Sequence, residues 1–129
     1  SPVAIAKVAQ VPTVYLYLDI LGGFKLGPDG KSHDAFSPWQ MKVPAGAKVV
    51  LTIYNWDTMK HSFTSMGVDV VTNPAPKEGK PSVTVVKFTA PQNPGTYKFF
   101  CRISCDLDND QWSMSHTGYM IGQIVVVAP

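Results

Sequence analysis

Hydrophobic residues recur along much of this chain with a period of two. Val49, Leu51 and Ile53 fall on one face of an extended segment and Thr52 and Tyr54 on the other, because side chains alternate across a strand. Segments rich in Val, Ile, Thr, Tyr and Phe lie between Pro- and Gly-containing turns. They predict strands at Thr13–Ile20, Gln40–Val43, Lys48–Trp56, His61–Ser65, Val83–Thr89, Thr96–Cys101 and Ile121–Val127. Helix-period stripes are scarce. Turns such as Pro44-Ala45-Gly46 and Pro91-Gln92-Asn93-Pro94-Gly95 join the strands. The pattern therefore predicts an all-β fold, an antiparallel two-sheet sandwich with Greek-key connections.

Two stretches break the alternation. Gly22 to Ser37 is punctuated by glycines, and Asp106 to Gly118 is polar and acidic at its start, so both read as loops. Long loops inside compact domains more often carry function than not.

A length of 129 residues, 45% of them hydrophobic, suits a single domain over residues 1–129, with 1–12 as an extended N-terminal segment. Eleven basic and nine acidic residues give a formal charge of +2, and the lysines are scattered from Lys7 to Lys98 without a run. That distribution points away from nucleic acid or an anionic membrane as the partner. No apolar stretch reaches the roughly 18 residues of a membrane span; the strongest, Val11 to Leu21, is interrupted by Pro12 and Asp19. The chain starts at Ser1 without the basic start and apolar core of a signal peptide, as expected where a leader or anchor has been removed. The expected location is periplasmic or otherwise extracytoplasmic, with any membrane tether lying outside the given chain.

Both cysteines, Cys101 and Cys105, sit within five residues of each other. Such a pair is either a small-loop disulfide or part of a metal site. His116 and Met120 follow in the same last fifth of the chain. Thiolate, imidazole and thioether together suit copper cycling between its two oxidation states, whereas zinc seldom recruits a methionine. A second imidazole is needed. His61, which follows the strand Lys48–Trp56 after a short turn, is preferred to His33, which reads as a solvated loop residue beside Lys31 and Asp34. Met59, Met66 and Met114 read as packing or loop residues, with Met114 a stand-in for the axial ligand. Asp106, Asp108 and Asp110 lack the Gly and terminal Glu of a calcium loop and read as a solvated or partner-facing acidic edge.

The run Gly95-Thr96-Tyr97-Lys98-Phe99-Phe100-Cys101 resembles the cupredoxin strand that ends in the ligating Cys. Met120-Ile121-Gly122-Gln123-Ile124-Val125-Val126 is similar to that family's Met and closing strand. Val43-Pro44-Ala45-Gly46, a hydrophobic strand, then Asn55 and His61-Ser62-Phe63 resemble its upstream half. The resemblance implies a cupredoxin-like sandwich that carries electrons at copper. The three-residue spacing of Cys101 and Cys105 is similar to the dinuclear copper A domain of cytochrome oxidase subunit II. That likeness implies two copper ions held by His61, Cys101, the carbonyl of Ile103, Cys105, His116 and Met120. The alternatives are a mononuclear blue-type cupredoxin with one copper, or a copper carrier or resistance protein using the same ligands. Ten residues, Asp106 to Ser115, separate Cys105 from His116, more than either pattern expects.

A ligand set saturated by protein groups implies an electron carrier rather than an enzyme, either alone or as a soluble domain of a larger oxidase-type complex. The implied partner is a redox protein such as a cytochrome or terminal oxidase, with no small-molecule substrate. Trp112, Met114 and Tyr119 around His116 would form an apolar docking patch.

Overall fold

The computed structural model describes residues 11–129, and its chain forms two facing sheets. The strands are β1 (Thr13–Leu26), β2 (Ser32–Ser37), β3 (Gln40–Pro44), β4 (Lys48–Asn55), β5 (His61–Ser65), β6 (Val68–Thr72), β7 (Ser82–Thr89), β8 (Gly95–Phe100) and β9 (Ile121–Val127). One sheet has the order β2-β1-β4-β7, the other β3-β9-β8-β5-β6. Short 3-10 turns at Leu107–Asn109 and Trp112–Ser115 break the long segment before β9. The expected all-β, two-sheet sandwich is present. It is not purely antiparallel, because β1 runs parallel to β4 and β3 parallel to β9. The extended segment expected at 1–12 lies outside the described residues except for Val11 and Pro12, whose carbonyl accepts the Lys48 N–H at 2.9 Å.

Period-two alternation builds the core between the sheets. Val49, Leu51 and Ile53 of β4 are buried and meet Leu18 and Ile20 of β1 and Phe63, Phe99, Ile124 and Val126 of the second sheet. Phe99 packs against Phe36 at 5.0 Å and Phe63 at 5.1 Å between ring centroids. Gly122 on β9 allows this, since a Cβ there would run into the Phe99 ring. The C-terminal ends of β4 and β8 and the N-terminal ends of β5 and β9 meet at one end of the sandwich, which gathers Asn55, His61, Cys101 and Met120 there.

One of the two predicted loops contains strands, and a further strand, β6, was not expected. The stretch Gly22 to Ser37 is the far half of β1 and the whole of β2, an antiparallel hairpin that overhangs β4 beyond Ile20. Its register shifts between Leu21 and Lys25, where Gly23 takes a positive φ, so the glycines mark a bulge rather than a loop. β2 reads as polar, yet His33 and Asp34 are buried. β6 returns from β5 through Met66-Gly67, both at positive φ, a tight hairpin turn made without its usual Asn-Gly signal.

Candidate metal centre

His61 is positioned by the turn between β4 and β5. Asn55, at the end of β4, is fully buried and acts as the hub of that turn. Its amide donates to the carbonyls of Met59 and Asn73, both at 2.9 Å, and to Thr72 Oγ1 at 3.2 Å, while its oxygen accepts the Asp57 N–H at 3.0 Å. Four residues before His61, Asp57 places its carboxylate 2.7 Å from His61 Nε2. A carboxylate only accepts, so Nε2 carries the hydrogen and Nδ1 is left as a lone pair. Nδ1 is buried and has no hydrogen-bond partner among the described residues. The same hydrogen bond holds Asp57 below the ordinary carboxylate range. Asp34 Oδ2 lies 3.9 Å from Nε2, and burial pushes the Asp34 carboxyl up.

Cys101 and Cys105 converge on this imidazole. A ligand atom of His61 and the two sulfurs all lie within 4.8 Å of one another. The cysteines form a disulfide with their Cα atoms 6.6 Å apart. The Ser62 N–H, next to His61, points at Cys101 Sγ at 3.3 Å, and Ser62 Oγ accepts the Arg102 N–H at 2.7 Å. Strand β5 thus holds the first cysteine as well as the histidine. The Ile103 carbonyl is 3.6 Å from Cys101 Sγ. Met120 is fully buried in the core cluster that contains both cysteines, and its carbonyl accepts the Cys101 N–H at 3.1 Å.

His116 lies differently from expectation, whereas Met114 packs as expected. His116 stands outside the His61–Cys101–Cys105 group. Its Nδ1–H donates to the Trp112 carbonyl at 2.6 Å, and its ring stacks on the Trp112 indole with centroids 3.5 Å apart. Met114 packs against the core, and its sulfur accepts the Cys105 N–H at 3.4 Å, so its thioether reaches the cysteine pair. His33 and Asp106 correct the sequence reading more sharply, because both are buried rather than solvated. His33 Nδ1 faces Asp106 at 2.7 Å and Nε2 faces Asp29 at 2.8 Å. Nothing local in the sequence marks this contact, which joins residues 73 positions apart. Asp57 was missed as well, although its four-residue spacing from His61 was visible.

A buried imidazole with one unpartnered nitrogen, two sulfurs close to that ring and the Met114 thioether at Cys105 make a donor set for a soft or borderline metal. The fit rests on the orphaned His61 Nδ1, which a metal would satisfy.

Comparison with known proteins gives the same direction. A family model described as a cupredoxin-like domain matches residues 31–109. Among solved structures, the copper protein rusticyanin is 25% identical, covering 94% of this chain and 86% of its own, with a TM-score of 0.60. Auracyanin A, a "blue" copper protein of Chloroflexus aurantiacus, is 17% identical over 89% of this chain and 99% of its own, with a TM-score of 0.56. The copper nitrite reductase of Nitrosomonas europaea is 20% identical, covering 90% of this chain and 42% of its own, with a TM-score of 0.60. No curated protein matches significantly.

Proposed function

Because the chain belongs to the cupredoxin-like domain family, we propose that it is a copper-binding electron carrier holding one copper ion. His61 and Cys101 would be its fixed ligands, with His116 joining from the loop and Met120 supplying the thioether. The observation that carries this reading is the buried His61 imidazole, which has an unpartnered Nδ1 among the described residues and a ligand atom close to both cysteine sulfurs. The likeness to rusticyanin over nearly the whole chain supports copper as the metal. When bound, copper supplies one-electron redox chemistry.

The protein's own residues prepare that chemistry. Asp57 fixes the His61 tautomer and makes its lone pair more basic. The Ser62 N–H is aimed at Cys101 Sγ and would stabilise negative charge on a thiolate there. Strand pairing holds both groups in place, which limits rearrangement between oxidation states. The metal-binding form is the reduced one: two electrons and two protons from a thiol reductant convert the Cys101–Cys105 disulfide into two thiols. A redox partner protein such as a cytochrome or terminal oxidase, and an extracytoplasmic setting, go with this role.

A second reading is a dinuclear centre using both sulfurs. It is favoured by the nearness of both to His61 and by the Ile103 carbonyl beside Cys101. One experiment separates them: reduce the chain, load copper, and record metal stoichiometry with optical and electron paramagnetic resonance spectra. One copper per chain with an intense thiolate band supports the single site. Two coppers sharing an unpaired electron over both nuclei would establish the dinuclear site instead. No copper uptake by the reduced chain would sink both. A copper carrier using the same ligands would surrender the reduced metal readily to a chelator, and an electron carrier would not.

A further inference from the structure

The long segment before β9 and the β1–β2 hairpin, the two irregular stretches of the sequence, are packed on each other. We propose that Asp29, His33 and Asp106 form a latch that clamps residues 106–119 to the hairpin and thereby positions His116. The role given to His116 rests on the copper reading above; the latch itself does not.

His33 is fully buried, and each of its ring nitrogens faces a carboxylate, Asp106 on Nδ1 and Asp29 on Nε2. Carboxylates only accept, so both nitrogens must donate and the ring is an imidazolium. Burial works against that charge, but the hydrogen bonds to Asp29 and Asp106 outweigh it and raise the His33 pKa. A buried charge of this kind persists only while it is paired. Asp106 is the point where the latch grips the loop. Its Oδ2 accepts from His33 and from the Ser113 N–H at 3.0 Å, and its Oδ1 accepts from the Asp34 N–H at 3.1 Å. Asp34 returns the contact, its Oδ2 accepting the Asp106 N–H at 2.8 Å.

His33 also carries the ligand loop through its face. Trp112 stacks on it with centroids 4.2 Å apart and a 25° tilt, a favourable seat for a cation, and His116 stacks on the far side of Trp112. The loop needs such a hold. Its regular structure is two short 3-10 turns, and Asp106, Asp110 and Gln111 take left-handed backbone conformations that disfavour side chains. The other charged and titratable groups around His33 are Tyr119, edge-on at 5.9 Å, Lys25, its register partner on β1, whose Nζ donates to Gly118 O, and Asp34 beside it on β2.

The test uses the metal-free chain and amide hydrogen exchange. His33→Gln, which cannot donate to both carboxylates, should accelerate exchange across residues 106–119 by about 10- to 100-fold, the equivalent of one charge-assisted bond, and leave β5 and β8 unchanged. His33→Phe, which keeps a ring for Trp112 but loses both bonds, should behave the same; wild-type protection there would show that packing suffices and overturn the latch. In the unsubstituted chain, loop opening should step up as pH rises and His33 loses its proton, and the step should vanish in both variants. Absence of the step, or unchanged exchange in His33→Gln, overturns the proposal. Should His33→Gln fail to fold, Asp29→Asn at the exposed edge carries the test: it should loosen the loop and lower the midpoint of the step, and no change in either would overturn the latch. Failure of the reduced chain to take up copper would refute the function reading while leaving these measurements standing.

Discussion

His61 and His116 approach the same end of the sandwich by different means. His61 begins a strand, its preceding turn is tied by Asn55, and the cysteine it faces ends a neighbouring strand of the same sheet. His116 follows a 3-10 turn on a segment held by side chains: a buried imidazolium, two aspartates and a stacked indole. Strand ladders give precision that few single substitutions can undo. A loop held by a few buried charges depends on each of them, and so its state can change with pH. The difference assigns rigidity to the strands that hold His61 and adjustability to the loop that carries His116.

The comparison can be broken first at the core beneath the strands. Phe99→Ala removes the ring between Phe36 and Phe63 and should cost about 3–5 kcal/mol by denaturant unfolding. A loss much smaller than that would mean the His61 half is not held by its core. Asn55→Ala removes the buried amide that ties the Met59 and Asn73 carbonyls and should cost about 1–3 kcal/mol, with faster amide exchange at Asp57 and in the turn before His61. Asp57→Asn keeps an acceptor for His61 but removes the charge. Copper affinity measured by chelator competition should fall about 10- to 100-fold while thermal stability changes little.

The His116 half should respond to pH in two directions. The folded pKa of His33 is raised, so its contribution is complete below its unfolded value near 6.5 and is lost as pH rises through the higher folded value. Asp29 is held low chiefly by its hydrogen bond from His33, so its contribution is present above its ordinary value of 3.8 and lost as pH falls through the lower folded one. Loop exchange followed against pH should therefore be slowest between these limits, with β5 flat across the same range. The smallest effect is expected at Arg102. Its exposed pair with Asp69, at 2.7 Å, is screened by water, so Arg102→Ala should leave the melting curve nearly unchanged.

What was legible in the sequence follows the reach of its periodicities. Alternation placed β4, β5, β7, β8 and β9 closely, since burial on one face leaves its mark every second residue. Local spacing also suggested the chemistry of Cys101, Cys105, His61 and Met120, each at or near a strand end. β2 escaped because two of its buried side chains, His33 and Asp34, are polar, and a buried Asp looks like a solvated one until its donor is known.

The sequence by itself determined the sandwich class and singled out the imidazole and sulfur groups of His61, Cys101 and Cys105 that the fold brings together. Tertiary structure alone decided that the two parallel pairs exist, that His61 is oriented by Asp57 with Nδ1 unpartnered, and that His116 rests on Trp112. It also decided that the two irregular stretches belong together. Their contact is made by hydrogen bonds and paired charges between residues more than 70 positions apart, and such pairings leave no periodic trace along the chain.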